Sequence, residues 1–170
     1  QETINAGAAI INDISGGKMD KNMFSTAANL QVPYILMHML GTPQNMQKNP
    51  VYNDVTKEII SFFAAQIHKL HQLKLNDVII DVGFGFGKTL DHNFEILKNL
   101  SLFKSLDAPI LAGISRKSMI YDTIKAKPND SLIGTSIMHS FLISRNASVF
   151  RVHDVKEMKE VKMLWKASYY

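Results

Sequence analysis

Asp81 closes the apolar run "DVIIDV", residues 77–82, a position where a carboxylate is costly to bury without a strong partner. So placed, it can accept two parallel N–H donors, as from an amino-pyrimidine edge; the other reading is a cap for the next turn. Asn12 ends a second apolar run and both donates and accepts, which suits a heterocycle edge or an Asx-turn with Asp13. In "SRKS", residues 115–118, Ser115 could cap a helix. Its first amides, with Arg116 and Lys117, would then favour an anion or carbonyl oxygen, against a solvated basic turn. Arg151 and His153 alternate in "ASVFRVH", residues 147–153, so on a strand both side chains share one face. Planar arginine donors beside an imidazole make a phosphate clamp; the alternative is a structural histidine.

The glycines after Asp81 suggest phosphate at first sight. A P-loop needs four residues between its first glycine and Gly-Lys-Thr, whereas Gly83 and Gly87 leave three, and Gly83-Phe84-Gly85-Phe86-Gly87 does not match G-x-G-x-x-G either. What remains is a flexible loop that allows close backbone approach, with Phe84 and Phe86 able to pack on a flat ligand. Other candidates are weaker. His68 and His71 fit a solvated helix face better than a metal site, and Met19, Met23, Met39 and Met46 fit gap-filling better than a cofactor site. His92 and His139 show nothing beyond a helix start and a helix interior.

These residues need elements that bring them together. Five apolar runs read as strands covered on both faces: 8–13, 33–38, 77–82, 108–114 and 147–153. Each ends in polar groups, among them Met37-His38 after the second. Between them runs helical periodicity: Val51, Val55, Ile59, Phe63, Ile67 and Leu70 predict a helix reaching about Leu75. Shorter stripes follow at Phe94, Leu97 and Leu100, at Ile133, Ile137 and Phe141, and at Val155, Met158, Val161 and Leu164. Asp154 and Glu157 have capping-box spacing.

Five βα units fit an open doubly wound sheet or part of a (β/α)₈ barrel. Length favours the former. The start, "QETINAGAAIIND", opens on what reads as the last turn of a helix ending at Gly7, which predicts an N-terminally truncated barrel. In both architectures chemistry gathers where strands end.

Composition removes several classes. With 46% hydrophobic and 20% charged residues the chain can bury a core. No membrane span or signal peptide is visible, so a cytoplasmic protein is the default. Without cysteine there are no disulfides or thiolate metal sites. The net charge of +4 comes from scattered lysines interleaved with acids, which argues against a nucleic-acid partner. Arginine occurs only at 116, 145 and 151, so finding two of the three at strand ends is informative.

"INDISGG", "MHMLGTPQNMQ", "DVGFGFGKT", "APILAGISRKS" and "RVHDV", in this order, resemble dihydropteroate synthase of the folate pathway, within the pterin-binding barrel family. "GISRKS" and "RVHDV" separate it from the corrinoid-linked pterin methyltransferases, an alternative that shares the Asn and Asp strand ends. The resemblance implies one α/β domain over 1–170, an incomplete (β/α)₈ TIM barrel of about five C-terminal units. It implies a transferase joining 6-hydroxymethyl-7,8-dihydropterin pyrophosphate to 4-aminobenzoate with release of pyrophosphate. It places Asn12, Met37, Asp81, Phe86, Gly113 and Lys117 at the pterin, Arg151 and His153 at the pyrophosphate, and Ser118 by the aminobenzoate. Lys117, Arg151 and His153 would be the catalytic set. Magnesium would ride on the leaving group, with no metal ligand in this chain, and the complete enzyme would be a homodimer. Val82 departs from the family's usual proline. Lacking the first units, the chain alone is expected to be inactive, the other possibility being a non-catalytic pterin- or anion-binding module.

Overall fold

All five apolar runs form strands, in a computed structural model that describes residues 1–168. They are shorter than the runs: β1 Ile11–Asp13, β2 Tyr34–Met37, β3 Val78–Asp81, β4 Ile110–Ala112 and β5 Ala147–Phe150. Neighbours in the sheet are consecutive in sequence and parallel, in the order β1-β2-β3-β4-β5. Parallel neighbours require crossovers. After the opening turn α1 (Glu2–Asn5), these are α2 (Met23–Leu30), α3 (Val55–Gln72), α4 (Leu90–Asn99), and α5 (Ser118–Tyr121) with α6 (Leu132–Ser144); α7 (Val155–Ala167) follows β5. A doubly wound sheet reverses its strand order at a switch point, whereas barrel staves run in sequence order. The unbroken order makes these five successive βα units of barrel type.

Strand alternation sorts the side chains. Tyr34, Leu36, Val78 and Ile80 are buried in one core with Ile59, Phe63 and Leu70 of α3. The opposite face carries Asn12, Ile35, Met37, Ile79, Asp81 and Leu111, joined by the pairings Asn12–Ile35, Met37–Asp81 and Asp81–Leu111. Ile35 and Ile79 are only half-buried, so this face is less covered than the continuous apolar runs predict.

Several sequence expectations change, among them the α7 stripe, of which Val155 and Leu164 are exposed. Helix α3 starts later, because the Asp54 side chain accepts from the Lys57 amide and Glu58 from those of Asn53 and Asp54; Val51 lies outside and is exposed. It ends at Gln72, where Lys74 turns left-handed (φ 66°) and the Leu75 amide reaches back to Leu70. Leu75 is buried, so it extended the stripe without extending the helix. Helix α6 exposes its predicted stripe of Ile133, Ile137 and Phe141, and buries Thr135, His139 and Leu142 instead. Met19 is exposed and fills no gap. The Asp154–Glu157 box does not form, because Arg116 takes the Asp154 carboxylate. A capping box occurs at Thr89 and His92.

Candidate functional site

The C-terminal ends of the strands bring Asn12, Asp81, Gly113 and Arg151 together. Asp81 is 1% exposed. Its Oδ1 accepts from the Gly83 amide at 2.8 Å and its Oδ2 from Arg151 Nη2 at 2.7 Å. Arg151 Nη1 donates to Asn12 Oδ1 at 3.3 Å. A Cβ on Gly113 would sit 2.7 Å from Arg151 Nη2, so only glycine leaves room for the guanidinium here. The capping reading of Asp81 holds, since one oxygen caps the turn after β3, while the other oxygen is taken by Arg151.

Lys117 forms the other wall. Its Nζ donates to the Phe84 carbonyl and lies 4.6 Å from the centre of the Phe86 ring. Burial lowers it to about 8; the Asp81 charge opposes that shift and Arg151 adds to it. Phe86 is half-buried at this position, whereas Phe84 packs into the hydrophobic core between sheet and helices. Met37 is buried beside Asp81 in the sheet register.

The two residues assigned to phosphate have different partners in this structure. Strand β5 ends at Phe150, before Arg151, so alternation no longer holds them on one face. Arg151 turns back to Asp81, while the His153 ring faces Ser115 Oγ at 3.0 Å, an oxygen that also accepts from the His153 amide at 3.3 Å. Ser115 thus ties the loop after β5 and does not cap α5. Nor is there an amide cradle at "SRKS": the Arg116 amide donates to Thr135 Oγ1 and that of Lys117 to the Ile114 carbonyl. Arg116 points away from the cluster. It grips Asp154 through Nε (3.0 Å) and Nη2 (2.5 Å), and reaches Asn129 with Nη1. That guanidinium holds the Asp154 carboxyl below its ordinary value. Ser118 is exposed at the start of α5.

Two structured groups escape the sequence reading. Asp13 is buried and organises the turn after β1. Its Oδ1 accepts from the Ser15 amide and hydroxyl, and its Oδ2 from the Gly17 amide and the Tyr34 hydroxyl. Burial would raise its pKa, but these hydrogen bonds outweigh burial and lower it. Asn12 meets Arg151 and forms no Asx-turn. The second group is Lys88, 4% exposed. Its Nζ lies 2.9 Å from the Gly83 carbonyl, 3.0 Å from that of Phe86, 3.3 Å from that of His38 and 3.1 Å from His38 Nδ1.

The glycine loop is therefore an inverted phosphate loop. Its carbonyls point in at a cation, and its amides are already committed: Gly83 to Asp81, Gly85 to Asn93 Oδ1, Phe86 to Gly83. Burial lowers Lys88 to about 7, with Lys117 and Lys18 acting in the same direction and Asp81 against it. His38 is pushed down to about 2 by burial and by Lys88 and Lys18, so it stays neutral and presents Nδ1 as an acceptor. A lysine flanked by glycine and threonine carries no sign in sequence that its partners are backbone carbonyls.

Relatives of known identity share this arrangement of elements. The chain is 35% identical to the dihydropteroate synthase of Haemophilus influenzae over 99% of its own length, and spans 62% of that protein. Crystal structures of the Thermus thermophilus dihydropteroate synthase, one in complex with 4-aminobenzoate and one with 6HMPPP, match at a TM-score of 0.94 and 33% identity. They align over 99% of this chain, which covers 69% and 68% of theirs. The family model described as "Pterin binding enzyme" matches residues 1–153. Since that match takes in all five strands and every rim residue from Asn12 to His153, the chain belongs to the pterin binding enzyme family.

Proposed function

We propose that this chain supplies the pterin- and pyrophosphate-facing part of a dihydropteroate synthase, which condenses 6-hydroxymethyl-7,8-dihydropterin pyrophosphate with 4-aminobenzoate. The observation that carries the reading is the Asp81–Arg151 pair. A buried carboxylate aimed at the rim accepts one N–H of a planar group on the oxygen that the Gly83 amide leaves free, and an amino-pyrimidine edge can place an N–H donor at the same oxygen. In the proposed cycle the pterin edge takes the Asp81 oxygen that Arg151 holds now, with Asn12 beside it and Lys117, Phe86, Met37 and Gly113 forming the slot. The displaced guanidinium is then free to swing to the pyrophosphate, joined by His153. Stabilising the departing anion lets the C–O bond break. The aminobenzoate nitrogen, held near Ser118, forms the new C–N bond and loses a proton. Magnesium is proposed as a ligand of the pyrophosphate. Among the described residues no group of three or more His, Asp or Glu side chains is placed to hold a metal ion.

Two further parts of the reading concern setting. Ile133, Ile137 and Phe141 stay exposed on α6, with Ile137 lining a groove shared with Leu164 of α7, and we read this apolar surface as the contact of a homodimer. No helix among the described residues is long and apolar enough to cross a membrane, and we place the enzyme in the cytoplasm.

Asp81→Asn tests the core of the proposal. It keeps an acceptor for the Gly83 amide but removes the charge. Calorimetric titration of the full chain with a pterin analogue should show affinity falling at least tenfold at unchanged unfolding temperature; affinity within twofold of wild type would overturn the assignment.

A further inference from the structure

We infer that Lys88 is a positioning residue for the pterin slot, acting through the loop it holds and touching no ligand itself. This rests on the function proposed above. An ammonium has three N–H donors, and around Lys88 Nζ stand three carbonyl oxygens, of Gly83, Phe86 and His38, plus the acceptor nitrogen of His38. No donor is left for a ligand. The loop that closes on it carries both walls of the slot. Gly83 sends its amide to Asp81 Oδ1, Phe84 gives its carbonyl to Lys117, and the Phe86 ring lies under the Lys117 ammonium.

The loop has few other anchors to this shape. The Asn93 side chain accepts from the Gly85 amide, the Gln47 side chain reaches the Gly85 carbonyl, and the Tyr52 hydroxyl reaches that of Gly87. The charged and titratable groups facing Lys88 are Asp81, Lys117, Lys18 and His38. None of them replaces the three carbonyl contacts. Without a cation at its centre the loop would turn two of its carbonyls toward that of His38 with nothing between, and would open. Asp81 and Lys117 would then lose the backbone that sets their distance and angle.

The absence of cysteine makes a clean test available. In the full chain, Lys88→Cys alkylated under denaturing conditions with bromoethylamine restores a lysine-shaped ammonium at one position after refolding; propylation gives a neutral group of the same shape. We expect the propylated protein to bind a pterin analogue at least tenfold more weakly, with 4-aminobenzoate affinity within twofold, and the amides of Gly83 and Phe86 to exchange at least tenfold faster. Aminoethylation should reverse all of these changes. If the propylated form binds and exchanges like wild type, or if aminoethylation fails to restore what propylation removes, the inference is overturned. Amide exchange needs no ligand, so it remains decisive even if Asp81→Asn shows the pterin reading itself to be wrong.

Discussion

Lys88 and Lys117 feel the same carboxylate, Asp81, and burial depresses both, to about 7 and about 8, yet their surroundings are opposite. The loop after β3 encloses Lys88 in acceptors on every side. The turn after β4 leaves Lys117 with one carbonyl and one aromatic face. A cation whose donors are all used holds backbone in place, whereas one with donors to spare is available to a substrate. Burial and charge alone do not tell the two apart; only the count of acceptors does.

The sharpest way to break this contrast is to crowd the cage. An alanine at Gly83 would place its Cβ 2.0 Å from the His38 carbonyl oxygen at φ 66°, with backbone on both sides of the clash. We expect Gly83→Ala to cost ~3–5 kcal/mol in urea unfolding, or to prevent folding. Gly85, on the slot side, meets only Lys117 Cδ at 3.6 Å. Gly85→Ala should cost only the left-handed backbone term, ~1 kcal/mol. Equal costs at the two glycines would remove the distinction between cage and slot.

The next effect falls on binding. Lys117→Met keeps the stem over Phe86 but removes the charge, and a charge-assisted hydrogen bond contributes about 1.5–3 kcal/mol. Pterin-analogue affinity should fall by roughly 10- to 100-fold, while the urea midpoint moves little. A large loss of stability with unchanged affinity would make Lys117 a second scaffold lysine.

Much of this layout is legible in the amino-acid sequence. Buried parallel strands are continuous apolar runs, so all five stand out, and an Asp, Asn, Arg or Lys at the end of such a run is conspicuous because nothing apolar explains it. Relations between distant residues are what stay hidden. Asp154 and Glu157 have the spacing of a capping box, but the spacing cannot show that Arg116, 38 positions away, outcompetes the local amides for the carboxylate. Ile133, Ile137 and Phe141 mark one side of α6 without saying which side meets the sheet. Arg151 and His153 alternate in sequence, yet alternation directs side chains only while the strand lasts, and β5 stops at Phe150.

His139 extends the contrast to a third degree of partnering. It is 2% exposed on α6, edge-on to the Phe150 ring, and among the described residues its Nε2 has no hydrogen-bond partner. Burial lowers it to about 4, with Asp154 opposing. The unfolded chain takes up a proton near 6.5 and the folded chain only near 4. Stability is therefore complete above pH 6.5 and declines as pH falls across that window, by up to ~3 kcal/mol at about 1.4 kcal/mol per unit. His139→Leu removes both the titration and the unpartnered nitrogen. Urea unfolding should show the variant equal to wild type or ~1 kcal/mol more stable at pH 7, with a flatter profile from pH 6.5 to 4. A variant that loses stability at pH 7 and keeps the acid slope would mean that a buried partner holds this nitrogen after all, and that His139 belongs with Lys88 among the groups the fold has satisfied.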